Sequence, residues 1–346
     1  MKAIGIGLLA SVFFCSTYVM NSFISAGNGH WAWTVSLRTF FMLLILLVIL
    51  QAKQQLKPLL HILKKQPAVW LFWGSIWFGV VYVLLTAAAS LGPGWLIAGV
   101  FQFTIVAGIL LSPFLYKDSR AKIPVRALLL SILILVGIAL MQWSQRNGAY
   151  TDAKLLSCIV LVLLAAIVWP LANRKLMLFI EEHDHQITAM QRVTGTAIGG
   201  LPALFLLMGY GYAEAGLPGE QQLLAIVVIA LCSGVIGCVL FFKATDMVRS
   251  DSAALAAVEA TQSVEILATV VGEVLLLGIA WPNFYGNIGM LLIMGGLILY
   301  SVPARKKVLQ WESRRLNLAF NYKFGSSKVK AARSRRTGTA EEEGRL

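Results

Sequence analysis

Residues 253–277 read AALAAVEATQSVEILATVVGEVLLL. The stretch is long enough to cross a bilayer, which takes about 20 mainly apolar residues as a helix. Yet it carries Glu259, Gln262, Glu265 and Glu273. At roughly 100° per residue, with Glu259 at 0°, Glu273 falls at about −40°, Gln262 at about −60°, Thr269 at about −80° and Glu265 at about −120°. All five share about a third of the circumference. A carboxylate at membrane depth costs roughly 2.5–3.5 kcal/mol on insertion scales. A helix with three on one face is expected to turn that face toward a protein-lined or watery cavity, as a transport pathway requires.

The rest of the chain sets the class. Of 346 residues, 58% are hydrophobic and 13% charged, and the mean hydropathy is +0.76. Soluble domains carry about 25% charged residues. Apolar runs near span length recur from end to end, without the alternation of a β-barrel. The expectation is an all-α polytopic membrane protein with about ten transmembrane helices, over residues 3–25, 31–51, 68–90, 94–116, 126–144, 154–178, 187–210, 221–244, 253–278 and 284–303. The first apolar run has bulky residues before Cys15 and continues to about Ile24, so it reads as a retained helix. Two connections are tight turns, Gly27-Asn28-Gly29 and Leu91-Gly92-Pro93-Gly94. Cys15, Cys158, Cys232 and Cys238 lie inside apolar runs and read as small buried hydrophobes.

Charge orients the chain. Alternate connections are basic: Lys53, Lys57, Lys64 and Lys65; then Lys117, Arg120, Lys122 and Arg126; then Arg174 and Lys175; then Lys243 and Arg249; then the tail. The positive-inside rule puts both termini in the cytoplasm, in a plasma-membrane protein. The net charge is +13, and from Ala304 onward twelve Lys/Arg stand against four Glu, a net of +8. Residues 306–346 read as a solvated basic tail at an anionic leaflet, disordered toward its end. No basic folded module points to nucleic acid.

The chain also repeats. Ala10-Ser11-Val12-Phe13-Phe14 resembles Ala165-Ala166-Ile167-Val168-Trp169. Arg38 matches Arg192, Gly79-Val80-Val81 matches Gly234-Val235-Ile236, and Gln102 matches Gln262. The order is kept, with residues 1–150 and 151–305 as the two halves. A five-helix unit followed by its copy must invert, so the halves form two inverted five-helix repeats with a site at their interface.

Three motifs carry a family resemblance: Leu163-Leu164-Ala165-Ala166-Ile167-Val168-Trp169, Phe241-Phe242-Lys243-Ala244-Thr245, and Thr269-Val270-Val271-Gly272-Glu273-Val274-Leu275. Over residues 1–305 the chain resembles the drug/metabolite transporter superfamily, most closely its multidrug efflux branch. The resemblance implies ten helices, five plus five inverted, with cytoplasmic termini. Gln102 and Gln262 stand where the metabolite branch has proline. The first helix offers Ser16, Thr17, Tyr18 and Asn21, not the essential acid of the small multidrug resistance proteins.

Glu265 is the main candidate for proton coupling or attraction of a cation. Glu259 lies about 9 Å from it toward the cytoplasm and Glu273 about 12 Å toward the outside. Glu259 is a possible second relay or a solvated interfacial acid. Glu273 is a possible structural group at the exit side, and Arg38 is placed to neutralise it. Arg192, nearer the cytoplasmic end, can snorkel. Gln102, Thr104, Trp95 and Phe103 are candidates for the other half of the cavity, with Tyr18, Asn21 and Trp169. Aromatic faces beside carboxylates suit a lipophilic cation. His183 and His185 read as solvated loop residues, and Gly199-Gly200-x-Pro202 as a bend or close crossing. No enzyme motif, metal spacing or cofactor site is found.

The expectation is a secondary active transporter, monomer or homodimer, that exports a small organic substrate by proton antiport. The alternatives are a facilitative metabolite carrier with structural acids, and a membrane scaffold or sensor working through the basic tail. An intramembrane enzyme would need a catalytic cluster that the sequence lacks.

Overall fold

The computed structural model describes residues 2–123, 125–145, 151–183, 187–248 and 252–299. The expected basic tail, His185 and the end of the last expected span lie outside these residues. Among the described residues every regular element is helical. The major helices are α1 (Lys2–Ala26), α2 (Trp31–Ala52), α3 (Leu56–Lys65), α4 (Pro67–Ala88), α5 (Gly94–Leu115), α6 (Val125–Ser144), α7 (Asp152–Glu182), α8 (Ala189–Ala215), α9 (Glu220–Asp246), α10 (Ala257–Leu277) and α11 (Phe284–Leu299). Eight are long and apolar enough to span a membrane, while Leu129–Ser144 of α6 and Phe284–Leu299 of α11 are shorter apolar helices. The chain is a polytopic membrane protein.

Local chemistry sets the boundaries. Asn28 takes φ 56° in the turn between α1 and α2, a left-handed conformation that Asn tolerates. Pro67 opens α4, where its missing N–H leaves no bond unmade. A capping box of Thr188 and Gln191 starts α8. Gly278, at φ 64°, closes α10.

One helix was not expected. The Lys53–Lys65 connection, read from sequence as a basic loop, contains α3. Its Leu59 and Leu63 are buried against Leu50, Trp70, Leu176, Phe179 and Ile180. Its lysines Lys57, Lys64 and Lys65 stay exposed, as in a helix lying along an interface.

The packing follows an exchange between chain segments. From the first part, α1 packs on α9 and α10; from the second, α7 packs on α4 and α5. Helices α2 and α8 cross each other, as do α5 and α10. Helices α6 and α11 meet glycine to glycine: a Cβ on Gly137 would lie 2.7 Å from the Gly289 carbonyl oxygen, and one on Gly289 would lie 2.6 Å from that of Gly137. Gly199 and Gly200 mark a close crossing, because a Cβ on Gly199 would lie 1.9 Å from the Trp70 carbonyl oxygen. Such small-residue crossings bring membrane helices into backbone contact.

Two helices contain π-helical turns, Ser75–Val81 in α4 and Ala230–Gly237 in α9, 155 positions apart. Two others are interrupted at matched glutamines. Gln102 breaks α5 between Phe101 and Phe103, and Ala260–Ser263 in α10 is a 3₁₀ turn around Gln262. The two glutamine interruptions meet directly, with Gln102 donating to the Gln262 carbonyl oxygen.

Candidate functional site

Helix α10 buries its polar face as its sequence predicts. Glu259, Gln262, Glu265, Thr269 and Glu273 are all at most 6% exposed, while Leu267, Val271 and Leu275 on the other face are 42%, 40% and 76% exposed. The three acids occupy three different environments.

Glu265 stands at the centre. It lines a cavity of about 20 Å³ together with Phe14, Thr17, Tyr18, Tyr82, Phe101, Trp169, Ser233 and Gln262. The Tyr18 hydroxyl interacts with its carboxyl group, and its Oε1 has no hydrogen-bond partner among the described residues. Other buried acceptors, such as Asn21 Oδ1, Gln102 Oε1 and Asn173 Oδ1, are also open among the described residues, but Glu265 Oε1 is the one whose residue lines this cavity. The irregular turns aim the neighbours. Ser233 belongs to the α9 π-turn and Tyr82 directly follows the one in α4; such turns recur at functional sites. Thr17 donates to Ser233 at 2.6 Å.

Arg38 sits behind this wall. It donates to the Tyr82 hydroxyl at 3.0 Å and to Ser233 at 3.1 Å, and its guanidinium lies 3.7 Å from the Tyr82 ring centroid. It does not pair with Glu273, contrary to expectation, because Tyr82 and Ser233 hold it at the central cavity. Trp169 forms an aromatic wall with Trp77, at 4.4 Å between centroids, and with Phe101, at 5.8 Å. Gln102 reaches across from α5 and donates to the Gln262 carbonyl at 3.0 Å.

Glu259 is tied down. Arg174 of α7 contacts it at 3.1 Å, with 4% and 8% of the two side chains exposed. Arg174 also donates to Ser112 at 2.9 Å and to the Gly108 carbonyl, joining α5 to the pair. Arg174 was counted with the basic connections although the expected span ran to 178; helix α7 continues to Glu182 and holds Arg174 buried. Glu259 is therefore neither solvated nor free.

Glu273 is a cap. It accepts from Ser22 at 2.6 Å and from the backbone N–H groups of Gly94 and Trp95 at 2.9 and 3.0 Å. A carboxylate at a helix N-terminus satisfies open donors and complements the helix dipole. The approach requires glycine, since a Cβ on Gly94 would lie 2.7 Å from Glu273 Oε1. Trp95 thus contributes its backbone to a structural joint.

The remaining candidates lie elsewhere. Arg192 is buried in an ion pair with Asp246 at 2.7 Å and bonds Thr245, so it neither snorkels nor lines the cavity. Thr104 and Asn21 are buried, but neither is among the residues that frame the cavity. His183 lies beyond α7 with Nδ1 2.9 Å from the Phe179 carbonyl oxygen. Sequence reasoning missed Tyr82, Ser233 and Arg174. Tyr82 and Ser233 each appear as a lone hydroxyl within an apolar span, a weak signal because single hydroxyls are common there, and Arg174 was masked by its basic neighbour Lys175 near the span end.

In this conformation the cavity is on the scale of one water. Pockets for organic ligands run roughly 300–1,000 Å³, so the described state leaves no room for one beside Glu265. Glu259 with Arg174 joins α10, α7 and α5 on one side of it. Glu273 joins α10, α5 and α1 on the other.

Comparisons with known proteins agree with this architecture. The chain is 39% identical over 316 residues to "Uncharacterized protein YjlA" of Bacillus subtilis (strain 168), covering 89% of this chain and 96% of that protein. It is 37% identical over 271 residues to "Uncharacterized 42.1 kDa protein in intracellular alkaline protease 3'region" of Shouchella clausii, covering 77% and 70%. A solved crystal structure matches with a TM-score of 0.61 at 15% identity, over 88% of this chain and 98% of that one, which shows a shared fold. The family profile "EmrE: Putative multidrug resistance efflux transporter" matches residues 1–306, and the chain belongs to that family, within the drug/metabolite transporter superfamily.

Proposed function

We propose that the protein is a proton-coupled secondary transporter that exports a small lipophilic cation by alternating access, with Glu265 as the group that binds proton and substrate in turn. The observation that carries this reading is the Glu265 carboxyl, buried in an aromatic-walled cavity with one oxygen unpartnered. Phe14, Phe101 and Trp169 offer ring faces to a cation; the Tyr82 face is already taken by Arg38.

The transport cycle rests on ten spans in two inverted halves, α1, α2 and α4 to α6 against α7 to α11. Three observations support that arrangement. The helix contacts keep their pattern when the halves are exchanged: α1 with α9 and α10 becomes α7 with α4 and α5. The π-turns recur 155 positions apart. Gln102 and Gln262, matched in the alignment, meet directly. Sites at such an interface suit a rocking of the halves around a fixed centre. The Glu259–Arg174 pair closes the cytoplasmic side and the Glu273 cap closes the outer side, and the two open alternately.

The facilitative carrier remains as a second reading, because two of the three acids are held by structural partners. Flux in proteoliposomes separates the two. With a panel of lipophilic cations and neutral metabolites, proton coupling predicts flux that collapses without a pH gradient. Equal flux with and without the gradient refutes the coupling. For orientation, Asn28→Cys and Asn287→Cys should react with an impermeant thiol reagent outside intact cells, in the plasma membrane, and Gln54→Cys should not.

A further inference from the structure

A second cavity, of about 420 Å³, opens between α1, α10 and α11. Gly5 and Leu8 of α1, Thr261 and Val264 of α10, and Leu297 and Ile298 of α11 form its walls. The floor is closed, with Thr261 6% and Leu297 0% exposed; the rim is open, with Leu8 41% and Ile298 57% exposed. Apart from Thr261 and Ser263 the lining is apolar, and the Thr261 hydroxyl is already bonded to the Val258 carbonyl at 2.6 Å. A Cβ at Gly5 would meet nothing within 4 Å, so the crevice runs up to the α1 backbone.

We propose that this crevice binds a single alkyl chain of a lipid-like amphiphile. Two of its walls, α1 and α10, are helices long and apolar enough to span a membrane, and the third, α11, is a shorter apolar helix; a rim on such helices meets bilayer hydrocarbon. A pocket this apolar offers water too few hydrogen-bond partners. Left without contents, its lining would forfeit dispersion contacts. The volume is within the range of about 300–1,000 Å³ that small-molecule sites occupy. The chain beyond α11 is a poor match, since from Ala304 onward it carries twelve Lys/Arg. The location also has a consequence. Thr261 and Val264 face the crevice, while Gln262 and Glu265 on the same turns face the central cavity. One helix wall separates an alkyl chain in the crevice from the central carboxyl.

The test is photolabelling in nanodiscs of phosphatidylcholine doped with a phosphatidylcholine that carries a diazirine in one acyl chain, followed by mapping of the labelled residues. Label should concentrate on Gly5, Leu8, Leu297 and Ile298. Gly5→Phe, which fills open space, should lose most of it. Gly209→Phe, also placed in open space but on α8, should keep it. Label spread evenly over exposed Val48, Leu206 and Leu276, or unchanged in Gly5→Phe, overturns the proposal. So does absence of label from the crevice, the result expected if the tail or a second copy fills it. The readout is bound lipid, so its outcome is independent of whether any substrate is transported.

Discussion

Replacing Glu259 with Gln removes the counter-charge of Arg174 and leaves the guanidinium buried. At 3.1 Å and an effective dielectric of about 20, the gross Coulomb attraction is about 5 kcal/mol. Desolvation offsets much of that, so the net contribution of the pair is small, but breaking one partner typically costs about 3–5 kcal/mol. Arg174 keeps the Gly108 carbonyl and the Ser112 hydroxyl, which puts the expected loss near the lower end, about 3 kcal/mol. Unfolding in mixed micelles on titration with a denaturing detergent measures it. Arg174→Met alone should also destabilise, by stranding the Glu259 carboxylate. The double variant should recover a large part, with a coupling of about 2 kcal/mol in the cycle. A Glu259→Gln loss within about 0.5 kcal/mol, or strict additivity in the double variant, would refute the claim that this pair fastens α10 to α7.

Gly199→Ala should destabilise by about 3 kcal/mol, because the new Cβ meets the Trp70 backbone and not a movable side chain; Gly209→Ala, in open space, should be neutral or stabilising by up to about 1 kcal/mol. Thermal stability in detergent compares the two, and equal effects contradict the close crossing. Glu273→Gln should lose about 1.5–3 kcal/mol, since a neutral amide makes weaker bonds to Ser22, Gly94 and Trp95; an unchanged midpoint would remove its role as a cap. Outside the spans, hydrogen bonds from Arg120 hold the Asp118 carboxyl below its ordinary value of 3.8. A carboxylate depressed in the fold stabilises above its unfolded value and loses that effect as pH falls through its folded value. Asp118→Asn should therefore be slightly less stable than wild type at neutral pH and equal to it in strong acid; a gap that widens on acidification contradicts this.

Apolar length made the spans legible, and the ends of most helices fall close to where the sequence placed them. The α10 face was legible too, because a helix has a fixed angular period and membrane depth penalises stray carboxylates. What could not be read was which partner each acid would meet. Glu259 finds Arg174 across 85 positions, and Glu273 finds the N–H groups of Gly94 and Trp95 across 179 and 178. Such pairings are set by helix crossings that no local pattern encodes. Arg174 misled because basic residues near a span end are read as loop markers. Helix α3 was hidden for a similar reason: its lysines dominated, although Leu59 and Leu63 repeat at helical spacing. The π-turns left no signal beyond Gly79 and Gly234, yet they put Tyr82 and Ser233 beside Glu265.

Glu265→Gln in proteoliposomes tests the central claim most directly. The amide keeps the size of the carboxyl and can hydrogen-bond, but it cannot exchange a proton. The account predicts a variant that inserts and folds normally, loses flux driven by a pH gradient, and retains substrate exchange at equal pH on both sides. Gradient-driven flux equal to that of wild type would contradict it, and would leave Glu265 a structural acid like its two neighbours on α10.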